Sequence, residues 1–128
     1  MKKKIKKAIL TAAAIVCFST TTVMAASGTY KFSLMTGNVG YSGYVTKGNQ
    51  NAYAMVECTA LNYPSAKLKY KILDDSSAQV GSNSFQGTGS FSITYSKAVH
   101  EKEKFSLGVE NPSVNGGVTV ATAGNWTP

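Results

Sequence analysis

Arginine is absent from the 128-residue chain. With it goes the planar fork that grips phosphates and base edges bidentately. Nucleic-acid binding is therefore not expected, although a formal net charge of +7 would otherwise invite it. That charge is also unevenly placed, because Lys2, Lys3, Lys4, Lys6 and Lys7 crowd the first few residues. From Ala26 onward eight lysines face six acidic residues, a balance of +2. Histidine occurs once, at His100, so a zinc site built on two histidines one helical turn apart is excluded. Cysteine occurs twice, at Cys17 and Cys58. After residue 25 no apolar run approaches the roughly 20 residues that a membrane-spanning helix needs, so no span is expected there.

What is present begins with a leader. The basic run is followed by an apolar stretch from Ala8 to about Phe18 and by Val23-Met24-Ala25. Small or aliphatic residues at alternate positions suit a signal peptidase. Residues 1–25 are read as a bacterial secretory signal peptide, with the exported chain starting at Ala26 or Ser27 and secreted, free or held at the cell surface. Lipid attachment at Cys17 is set aside, because the preceding Val16 is not small. Cleavage leaves Cys58 without an intramolecular partner, and it is read as a buried small hydrophobe, with a handle for an intermolecular bridge as the alternative. The Asn125-Trp126-Thr127 sequon is disregarded in a bacterial chain.

Beyond the leader the apolar residues recur every second position, the period of half-buried strands. Lys67-Leu68-Lys69-Tyr70-Lys71-Ile72 is the clearest case, with three lysines on one face and Leu68, Tyr70 and Ile72 on the other. Alternation also marks residues 30–34, 91–95 and 105–109. Ala52 to Leu61 is apolar on both faces and belongs near the middle of a sheet. Weaker strands are expected at 39–45 and 118–123; Lys97 to Lys104 alone could pass for a helical turn, and His100 to Lys104 is read as a charged loop or short turn. Gly-, Asn- and Asp-rich segments such as Asp74-Asp75-Ser76-Ser77 and Asn115-Gly116-Gly117 read as turns. Residues 26–128 are thus expected to form a single all-β domain, an antiparallel β-sandwich of about seven short strands, with a small barrel as the second choice.

Two surfaces are candidates for contact. Lys67, Lys69 and Lys71 repeat at ~7 Å along one strand and match a repeating negative charge; their plainer role is to keep the sheet wet. Tyr41, Tyr44, Tyr53 and Trp126, with Tyr63, Tyr70 and Tyr95, form a carbohydrate or peptide groove if several share one exposed face. The alternative places them in the core and at its rim.

Catalytic signals are missing. No serine sits in a nucleophile elbow, the Asp74-Asp75 pair lacks the alternating ligands of a calcium loop, and no glycine cluster opens a phosphate-binding helix. A hydrolase requires Glu57 and Glu110, or His100 and an acid, to share a cleft. No cofactor, metal or catalytic residue is expected.

Phe105-Ser106-Leu107-Gly108-Val109-Glu110-Asn111, then Val118-Thr119-Val120 and a closing Gly124-Asn125-Trp126, resembles the end of a family of small exported proteins of unknown function from Gram-positive bacteria. Tyr44 to Tyr53 is similar to its Thr/Asn-rich turn before an aromatic strand. The resemblance implies no activity, and the chain departs from it in lacking acidic residues after the Trp. The expected function is non-enzymatic contact with an envelope polymer or another protein. A bacteriocin-like competition protein is the alternative, and a small hydrolase ranks third.

Overall fold

The computed structural model describes residues 26–128; the expected leader, Cys17 and the cleavage site lie outside the described residues. Alternation is realised as nine strands: β1 (Gly28–Leu34), β2 (Val39–Tyr41), β3 (Val45–Thr46), β4 (Tyr53–Leu61), β5 (Lys67–Asp74), β6 (Gln79–Gln86), β7 (Gly89–Thr94), β8 (Lys104–Glu110) and β9 (Val120–Thr127). One antiparallel sheet has the order β1-β9-β4-β7. The other has the order β2-β8-β5-β6, with β3 continuing β2 along β8. Packed face to face, the sheets form a β-sandwich around one core. No helix among the described residues is long and apolar enough to cross a membrane.

Several expected elements change shape. The strand expected at 39–45 is interrupted at Ser42, whose backbone N–H donates to the Leu107 carbonyl (2.8 Å) while its hydroxyl accepts from the Leu107 N–H (2.9 Å). The last strand runs four residues further than expected, through Thr127. Residues 97–104 hold no helix, since Lys102 sits at φ 74° and a left-handed residue ends any right-handed turn. A short 3-10 turn occurs instead at Ser113–Asn115.

Strand β6 has no clear alternation, and a bulge explains why. Ile72 pairs with Gly81 but Leu73 pairs with Gln79, so Val80 is the extra residue. Val80 and Gly81 are consequently both buried, and the period of two is lost across them. Asn83 then reaches from this edge to donate to the Ser92 carbonyl (2.9 Å) on β7, stitching one side of the sandwich.

The core is organised by aromatic rings. Phe32, Tyr30, Tyr70, Phe91 and Phe85 follow one another at centroid separations of 5.9, 6.4, 4.7 and 4.4 Å, linking β1, β5, β7 and β6. The hydroxyls come along with the rings. Tyr30 donates to the Glu57 carbonyl at a long 3.4 Å, and the buried Tyr70 hydroxyl finds no partner of good geometry. Cys58 is buried as expected, 3.4 Å from the Thr122 hydroxyl.

A second bulge lets Tyr30 fit. Ala123 pairs with Ala60 and Gly124 with Cys58, leaving Thr59 over. Here the backbones close in: a Cβ on Gly124 would collide with the Glu57 carbonyl oxygen and lie 2.7 Å from the Tyr30 hydroxyl.

Asparagines brace the end of the sandwich where β1, β4, β6 and β8 finish. Buried Asn111 donates to the carbonyls of Leu34 (2.9 Å) and Val118 (2.8 Å) and accepts from the Asn115 amide (2.8 Å). Asn115 also pairs with both backbone groups of Lys67 at 2.9 Å. Asn62 donates to the Thr119 carbonyl (3.2 Å) and accepts from Ala121 N–H (2.9 Å). Side-chain amides thus supply the partners that loop backbone would otherwise seek from water.

Two outcomes follow. Gly124→Ala should lose about 3 kcal/mol in urea unfolding, whereas Gly43→Ala, with nothing within 4 Å of its new Cβ, serves as a near-neutral control. Burial also holds the hydroxyls of Tyr30, Tyr70 and Tyr95 well above the ordinary tyrosine value of 10.0. Above pH ~10 the unfolded chain releases these protons and the folded chain keeps them, so stability falls as pH rises. Tyrosinate absorbance from these three residues should appear only with cooperative loss of the circular dichroism signal, and gradual ionisation in the folded protein would refute their burial.

Candidate functional site

The outer face of the second sheet is the most distinctive surface. On β5 the side chains of Leu68, Tyr70 and Ile72 go to the core, which sends Lys67, Lys69 and Lys71 outward in one line. Strand β5 is an inner strand, flanked by β8 and β6, so the lysines have neighbours on both sides. On the β6 side, Gln86, Ser84 and Ser82 lie level with Lys67, Lys69 and Lys71. On the β8 side, Glu110 lies level with Lys69 and Gly108 with Lys71.

Gly108 makes the next contact possible. With no side chain there, Tyr41 on β2 and Lys71 lean toward each other across it; a Cβ on Gly108 would lie 3.0 Å from the Tyr41 ring and 3.1 Å from the Lys71 stem. The Lys71 ammonium is 6.0 Å from the Tyr41 ring centroid, the outer limit of cation–π attraction. None of the three lysines forms an ion pair. Among the described residues the single ion pair is Lys97 with Asp74, at 3.5 Å on another part of the surface. The Asp74 carboxylate there is held below its ordinary value, first by the Ala78 N–H it accepts, then by Ser76 N–H and Lys97.

The expected aromatic face is only partly formed. Tyr41 on β2 and Tyr44 in the connection between β2 and β3 are exposed, Tyr44 just ahead of the core-facing Val45. Tyr53 lies on β4 in the other sheet, and Trp126 is 1 % exposed. Trp126 therefore cannot line a surface. It continues the core-facing phase of Val120 and Thr122 on β9, which a strand ending at residue 123 does not include. Tyr70 and Tyr95 are core residues as well.

Nor do the acidic residues converge. Glu57 is on the outer face of the first sheet, within 3.4 Å of the Asn125 amide, and Glu110 is on the outer face of the second. Neither shares a cleft with the other, and His100 is in a loop at the far end. A shallow depression of about 630 Å³ on the first sheet is floored by Ala60, Ala121 and Ala123. Its lining holds no carboxylate, histidine or cysteine.

One charged residue has no signal in the sequence. Lys47, in a segment with the composition of a polar turn, is 1 % exposed. Its ammonium donates to the Asn49 side-chain carbonyl (2.8 Å) and sits 5.0 Å from the Tyr95 ring centroid. Desolvation lowers its pKa below 10.5, and the charge of Glu103 offsets part of that. No local pattern marks such a lysine, because its burial is produced by Tyr95 and the 102–103 segment, distant in sequence, closing over it.

No family model matches the chain, and no curated protein matches it significantly. The solved structure of FlhE aligns with 80 % of this chain and 94 % of its own, at 16 % identity and a TM-score of 0.45. At that level the likeness bears on neither activity nor partner.

Lys47→Met keeps the apolar stem and removes the buried charge, so it should leave stability unchanged or raise it by up to ~1 kcal/mol. The folded pKa lies below the unfolded one, so Lys47 contributes stability that grows as pH rises toward 10.5, opposing the tyrosine contribution that falls there. Thermal melts across that window should show the wild type gaining relative to the variant.

Proposed function

We propose that the protein is a secreted, non-enzymatic β-sandwich that acts by contact with an anionic polymer of the cell envelope. The observation that carries this reading is the line Lys67, Lys69 and Lys71, unpaired and exposed or half-buried on one face. Alternate residues on a strand are ~7 Å apart, and a chain molecule bearing regularly spaced negative charge can follow them without bending. Tyr41 beside Lys71 adds a flat ring at one end of the line, suited to a sugar face. Glu110, level with Lys69, repels an anion from the β8 side and favours a path over the serine row of β6.

The setting agrees with the basic-apolar leader and with the resemblance to small exported proteins. Contact of this kind asks for no catalytic group, only a rigid array of charges on a sheet whose far side is packed. The test is retention of the purified protein on isolated wall polymer at low and high salt. Retention should vanish at high salt, and Lys67→Gln/Lys69→Gln/Lys71→Gln should weaken it by about two orders of magnitude. Retention that survives both changes would remove the lysine line as the binding surface.

A further inference from the structure

The two ends of the sandwich differ in kind. Loops 47–52, 75–78 and 95–103 at one end carry Lys47, Asp75, Lys97, Glu101, Lys102 and Glu103. Loops 35–38, 62–66, 87–88 and 111–119 at the other contain no charged residue. That uncharged end nevertheless exposes Met35 (61 %), Tyr63 (44 %) and Val114 (70 %), each on a different loop. Val114 tips a 3-10 turn that buries nothing of its own.

We infer that this end is a lipid-contact surface, inserting Met35, Tyr63 and Val114 into the interfacial layer of an anionic membrane. This builds on the envelope reading and gives it a second surface, adjoining the lysine line. Four properties support it. The loops carry no ion that would have to shed its hydration on entering the interface. Asn111, Asn115 and Asn62 already hold the loops, so little ordering remains to be done on contact. Tyrosine suits the headgroup level. Lys67 and Lys69, at the start of β5, stand just behind the tips, where headgroup phosphates lie. Apolar tips on separate loops fit a deformable lipid layer better than a protein partner, which requires a continuous complementary core.

The test is flotation of the purified protein, as the cell exports it, with vesicles of phosphatidylcholine and phosphatidylglycerol in equal parts. The wild type should float, and less so with phosphatidylcholine alone. Met35→Ser/Tyr63→Ser/Val114→Ser should lower the bound fraction at least ~10-fold while keeping its circular dichroism spectrum and its retention on wall polymer. A wild type that binds polymer but never floats overturns the inference and leaves the envelope reading standing; failure on both removes both. Equal flotation of the tip variant also overturns it, since the lysine line would then suffice. Tyr63→Trp supplies an independent readout, because Trp126 is buried. Brominated lipid should quench the new tryptophan, and a floating protein without that quenching would refute insertion.

Discussion

The packing of Tyr30 against Tyr70 is the contact on which the rest of the sandwich depends. It joins β1, at the edge of one sheet, to β5, an inner strand of the other, and extends through Phe91 and Phe85 to the opposite side. Each aromatic pair adds roughly 0.5–1.5 kcal/mol beyond the area it buries. Tyrosine at these positions, rather than phenylalanine, leaves hydroxyls among Cys58 and Thr122 that are only partly satisfied. The bulge at Thr59 and the bare Gly124 are the accommodation: backbone yields where the Tyr30 hydroxyl needs space.

Having its core spanned by rings frees the outer faces for other uses. Sheets with one packed side need only keep the other wet, and the second sheet does so with lysine and serine beside Glu110. The first sheet presents small residues, Ala60, Ala121 and Ala123, around a shallow apolar depression. The difference between the faces originates in the same alternation that builds the core, because residues not directed inward have nowhere else to go.

The ends are governed by loops, where periodicity has no authority. At one end Lys47 is drawn under Tyr95, and the charged segment around Glu103 closes over it. At the other, asparagine amides replace water as partners for the backbone. In sequence, the uncharged loops held by asparagine and the charged ones at the other end give the same impression of polar turns. Only the partners of Asn111 and Asn115 distinguish them.

How much was legible in the sequence divides along this line. By itself the sequence determined the all-β class, the central place of β4 and the outward line of Lys67, Lys69 and Lys71, because a period of two is a local property of the backbone; two sheets over a barrel and the burial of Cys58 it only favoured, and packing decided them. Strand β6 was missed because the bulge at Val80 breaks that period, and Trp126 was misplaced because its strand extends past a glycine at a second bulge. The tertiary structure alone decided that Tyr53 and Tyr41 lie on opposite faces, that Glu57 and Glu110 never meet, that Lys47 is buried, and that the exposed apolar tips gather at one end. Those facts depend on which strands become neighbours, and pairing between distant segments is settled by packing of the whole core, not by any window of the chain.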